Sequence, residues 1–140
     1  MPLTTRTATH DHQYTPVSAL NGFRLKLQVK YTVDTDNPCI IQGFQDLDMK
    51  FLNAGPGWHL TSAPNLGHSY NILPAPDCIN RYGQRGFRDQ LYVWGVITAE
   101  WTTPGIPTPW GSIGSVTVDT AQIGLHMMIG ADGAIKKSVT

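Results

Sequence analysis

Glutamate is almost missing from this chain: among 140 residues, Glu100 is the only one. Charged residues make up only 14% of the sequence, against roughly a quarter in an ordinary soluble domain. The surface must therefore rest on Thr, Ser, Asn and Gln, which suit strands and turns more than helices. No segment carries a helical period, and no run approaches the length of a membrane span. The first twenty-odd residues contain no apolar stretch of signal-peptide length. The chain as given is expected to be soluble, with its cellular location unknown. There is no CxxC, no GxSxG and no phosphate-binding glycine loop, which argues against redox-motif, serine-hydrolase and nucleotide readings. No cofactor or metal is expected.

Ten basic and ten acidic residues cancel. A neutral chain has no bulk pull toward nucleic acid or anionic membrane, and little charge repulsion between copies. Cys39 and Cys78 are a single pair, which makes no disulfide framework. They are expected as free, buried thiols, with a bridge as the alternative.

What is present is strand pattern. Phe23, Leu25, Leu27, Val29, Tyr31 and Val33 alternate strictly with Arg24, Lys26, Gln28, Lys30 and Thr32. That is a strand with one buried and one solvated face. Asp34 to Pro38 is turn chemistry, and Ile40 to Leu52 reads as the next strand, with Gly43 as a bulge candidate. Leu91 to Trp101 has two largely apolar faces, so it is expected to be central and covered on both sides. Val116 and Val118 begin one further strand, and Ile123 to Ile129 form another. Gly130 to Gly133 is a hairpin turn leading to a lysine-bearing edge strand, Ala134 to Val139.

These signals predict an all-β fold: a single antiparallel sandwich, or else a small barrel, over residues 22–140, preceded by an extended polar arm over residues 1–21. The sandwich is preferred because the loops are long and unequal. The longest irregular segment runs from Asn53 to Asp89, with short strands expected at Trp58–Ser62 and Tyr70–Leu73. Aperiodic stretches of this length are uncommon in compact domains and usually carry function. A second Pro/Gly-rich loop spans Thr102 to Gly114.

The candidate binding residues lie in those two loops. Trp58, His59, His68, Tyr70 and Trp110 combine flat rings with polar edges, suited to sugar rings or a protein partner. Arg81, Arg85 and Arg88 carry forks that recognise carboxylates and phosphates. The same group also resembles single-stranded nucleic-acid contacts, but Asp77 and Asp89 beside it and the neutral chain leave no strong nucleic-acid signal. The blander reading has these arginines bracing their own loop through ion pairs. Glu100 shares a strand face with Tyr92 and Trp94, and a carboxylate beside rings is a weak candidate for acid–base work. His10 and His12 project to one side of an extended chain, half of a metal site at most. Asp46 and Asp48 share a strand face with Lys50 and read as solvated charge.

The leading expectation is a non-enzymatic structural or interaction module that self-assembles or docks on a larger particle, such as a phage or virus accessory protein. Its partners are then copies of itself or a larger assembly. The alternatives are a carbohydrate- or small-ligand-binding module using the loop aromatics, and a small β enzyme using Glu100 or a histidine.

Overall fold

The structure is a computed structural model that describes residues 2–15, 22–102, 106–108, 111–113 and 117–140. The fold is all-β. In chain order the strands are β1 (Leu3–Tyr14), β2 (Phe23–Asp34), β3 (Asn37–Leu52), β4 (Trp58–Leu60), β5 (Asn65–Ile79), β6 (Arg85–Thr102), β7 (Ile106–Thr108), β8 (Gly111–Ile113), β9 (Thr117–Gly130) and β10 (Ile135–Val139). Every pairing among them is antiparallel.

The first sheet has the order β1-β2-β3. In the second, β6 is central: β9 runs along one side of it and leads on to β10, while β5 and β4 pair with its other side. β7 and β8 form a separate hairpin. The described sheets do not close into a barrel, so that alternative is set aside.

Alternation explains the core. Phe23, Leu25, Leu27, Val29, Tyr31 and Val33 are all buried, as their period of two requires. They join Leu91, Val93, Ile97 and Ala99 of β6 and Ala121 to Ile129 of β9 in one hydrophobic cluster. Each fully buried Leu, Ile, Val or Phe contributes roughly 1.5–3 kcal/mol relative to exposure. Gly95, in the middle of β6, lies tight against its neighbours. A side chain there would collide with Met49 of β3 and press on Leu27 of β2.

Several expectations change. Most of the predicted arm is strand: β1 pairs with β2 in unbroken register from Leu3↔Asp34 to Tyr14↔Phe23. Ala8 and His10 on it are buried. Its threonines favour the extended pleat, and its polar outer positions suit a sheet margin. The segment from Asn53 to Asp89 holds more strand than predicted: the short strand expected at Trp58–Ser62 is β4, and the one at Tyr70–Leu73 is part of a longer strand. Fifteen of its residues form β5, which contains Pro74 and Pro76. Proline is tolerated there because β5 lies at the margin of its sheet. The two strands expected around Val118 and Ile123 are one strand, β9. β6 is central, but its second face is only half-buried rather than covered. Cys39 and Cys78 are not free thiols. They are bridged, with Cα atoms 5.4 Å apart, and so link β3 to β5.

Candidate ligand-binding face

The side chains with unassigned chemistry gather on the half-buried face of β6. Arg88, Gln90, Tyr92 and Trp94 follow one another at every second position and so share a side. Across β5 they face Leu73, Asn71, Ser69 and Gly67 in turn. Across β9, Gln90, Tyr92 and Trp94 face Gly130, Met128 and His126.

Gly67 decides how the aromatic part is shaped. A Cβ at that position would overlap the six-membered ring and the nitrogen of the Trp94 indole. The indole therefore lies across the β5 backbone, held close because nothing projects from residue 67. The Tyr92 ring stands beside it with centroids 5.2 Å apart. Tyr92 Oη is 2.6 Å from His126 Nδ1, and His126 Nε2 is 2.9 Å from Thr140 Oγ1. A neutral imidazole with its proton on Nε2 satisfies both contacts: Tyr92 donates to Nδ1, and Nε2–H donates to Thr140. Ring faces thus sit among short polar side chains, Ser69, Asn71 and Thr140.

At the Arg88 end the same face dips into a cavity of about 270 Å³, walled by Leu73, Met128, Ala134 and Ile135 and carrying Arg88, Gln90, Asp132 and Lys136. Arg88 Nη1 donates to Asp132 Oδ2 at 2.8 Å. Arg88 Nε is buried without a hydrogen-bond partner among the described residues. Asp132 is positioned by the β9–β10 turn, where its other oxygen accepts the Ala134 N–H. Gly133 there has φ 92°, a backbone conformation that favours glycine.

The residues singled out from the sequence are dispersed. Trp58 is buried in the core against Phe23 and Tyr14, so its ring offers no surface. His59 and Glu100 meet at 3.9 Å on the half-buried face, toward the β4 end. Neither they nor any histidine lines the cavity. His68 and Tyr70 lie on β5 against Phe44 of β3. The Arg81 guanidinium sits 4.0 Å above the Tyr70 ring. Arg85 is exposed, Arg88 reaches the cavity, and Trp110 lies outside the described residues.

The loop before β6 is not braced by arginine ion pairs. Asn80 Oδ1 accepts the backbone N–H groups of Tyr82 and Gln84, and Asp89 Oδ1 accepts that of Arg81. Of Arg81, Arg85 and Arg88, only Arg88 forms an ion pair among the described residues, and it does so with Asp132 rather than within the loop.

The half-site at His10 and His12 is also accounted for. His10 Nε2 lies 3.1 Å from the Ser138 carbonyl, and burial holds its pKa below the usual value. No three His, Cys, Asp or Glu side chains among the described residues converge as metal ligands. Asp46 pairs with Lys30 at 3.6 Å and has φ 55°, at a register shift between β2 and β3.

The sharing of one face by Tyr92 and Trp94 is readable from alternation. The roles of Gly67, His126 and Thr140 are not, because they depend on cross-strand register. No family model, curated protein or solved structure matches this chain.

Proposed function

We propose that this protein is a non-enzymatic binding module, a β-sandwich of its two main sheets, that receives a ring-shaped polar ligand of the sugar class on the open face of β6. One observation carries the reading: the Trp94 indole is laid across Gly67, with the Tyr92 ring and short polar side chains around it. A flat apolar ring edged by hydroxyls and amides is the chemistry that stacks on a sugar and bonds its hydroxyl groups. The binding surface is thereby moved from the loops to a strand face. A glycan array tests it. Binding that Trp94→Ala abolishes supports the reading, and an array with no bound sugar counts against it.

A second reading keeps assembly, either with copies of this chain or on a larger particle. It is favoured by β1, a twelve-residue strand that pairs on one side only among the described residues and contains no lysine or proline. Long edges without such protection are templates for a further strand. Size-exclusion with light scattering tests it: a monomer at high concentration rules out self-assembly.

A further inference from the structure

We propose that the ligand of this face is acidic, and that its carboxylate enters the cavity between Arg88 and Lys136. The proposal rests on the binding-face reading and adds the charge of the ligand.

Three features point to an anion. The Arg88 guanidinium lines the cavity, and its Nε, an N–H donor shielded from solvent, has no hydrogen-bond partner among the described residues. A guanidinium donor left unpaired in a buried setting is costly unless something accepts from it. Lys136 brings a second cation and forms no ion pair among the described residues. Gln90 adds an amide to the same wall. The positive charge is local, because the chain as a whole is neutral.

The balance favours a monoanion. Asp132 already takes one arm of Arg88 at 2.8 Å. Two cations against one carboxylate leave a single net positive charge, which suits a carboxylate better than a doubly charged phosphate. The volume, about 270 Å³, lies just below the usual range for ligand sites, which run from roughly 300 Å³ upward. It takes an acidic group with part of one ring, not a whole oligomer. The remainder has somewhere to go. At about 3.3 Å per residue, Arg88 and Tyr92 are roughly 13 Å apart along β6, about the reach of a short oligosaccharide. The occupant is therefore an acidic saccharide, with a uronate carboxylate at Arg88 and Lys136 and a neighbouring ring on Tyr92 and Trp94.

Calorimetric titration of the full chain with trigalacturonate and with its fully methyl-esterified form tests this. Trigalacturonate is expected to bind about tenfold or more tightly than the ester, the size expected for one lost charge-assisted hydrogen bond. Lys136→Ser changes an exposed side chain and leaves the fold intact; it should weaken the acid while leaving the ester unchanged. Trp94→Ala should weaken both. Equal affinity for acid and ester overturns the acidic assignment while leaving the binding face standing. No binding of either overturns both. Inorganic phosphate or a short oligothymidylate binding as tightly as trigalacturonate also overturns the assignment, the first pointing to a general anion pocket and the second to nucleic acid.

Discussion

The carboxylate of Asp89 on β6 accepts the backbone N–H of Ile41 on β3 at 3.0 Å, joining the two main sheets through a fully buried side chain. Its other oxygen accepts the Arg81 N–H at 3.1 Å, and its own backbone carbonyl accepts from Ala131 at 3.1 Å. One residue thus holds a strand of the opposite sheet, the loop entering β6 and the turn leaving β9. Asp89→Leu would strand the buried Ile41 donor, at a cost of about 1–3 kcal/mol, and the part-buried Arg81 donor, which water can partly satisfy, so a loss of roughly 1–4 kcal/mol is expected. Asp89→Asn keeps one acceptor oxygen and should lose less. Urea denaturation measures both, and a leucine variant as stable as the parent contradicts this role.

The Cys39–Cys78 bridge closes a segment of the chain close to the same junction, with a sequence separation of 39. For a loop of that length the chain-entropy account gives about 4 kcal/mol of stabilisation. The Cys39→Ser/Cys78→Ser variant should therefore melt well below the parent. A reductant should lower the parent's melting temperature and leave the variant's unchanged, which calorimetry can follow. Such a bridge persists in oxidising surroundings, so the protein is expected to be less stable where thiols are kept reduced.

His10 gives the fold a pH dependence. Burial is the main cause lowering its pKa below the ordinary 6.5, and the Lys137 and His12 charges add to it, against the Ser138 carbonyl, which raises it. The unfolded chain then binds the proton more readily than the folded one. This contribution to stability is present above about pH 6.5 and is lost as pH falls through the depressed native value. His10→Gln should flatten the part of the stability profile that falls off just below about pH 6.5, without removing the dependence due to carboxylates at lower pH. Denaturant midpoints taken across that range check it. Parallel profiles for the two proteins contradict the assignment.

Gly67 should be intolerant of any side chain. Gly67→Ala forces the Trp94 indole away from the β5 backbone. Tryptophan emission is expected to shift to the red as the ring becomes more hydrated, and saccharide binding should fall with it. Unchanged emission and unchanged binding would mean that the indole does not depend on the glycine.

What the sequence made legible follows which faces are buried. β2 was plain because one side is wholly apolar and the other wholly polar, and the turn at Gly130 to Gly133 was plain because its residues demand it. β1 was hidden because the positions facing buried Tyr31, Val29, Leu27 and Leu25 are Arg6, Ala8, His10 and His12, a mixed row with no hydrophobic period. Of β5 only Tyr70 to Leu73 is legible; its full length is hidden by its prolines and by a margin position where neither side is fully covered. The proposed binding face is half legible. Tyr92 and Trp94 fall on one side by alternation alone, yet the sequence concentrates its other rings in the loops. The decisive partner, Gly67 opposite Trp94, is set by register between strands far apart in sequence. Trp58 reads as a binding ring at a short strand but serves the core.

The most direct measurement is a backbone and indole NMR titration of the full chain with trigalacturonate. The account predicts saturable shifts confined to Gly67, Ser69, Arg88, Gln90, Tyr92, Trp94, His126 and Lys136, with the Trp94 indole signal among the largest. Shifts centred on β1 instead, or no shifts at millimolar saccharide, contradict it.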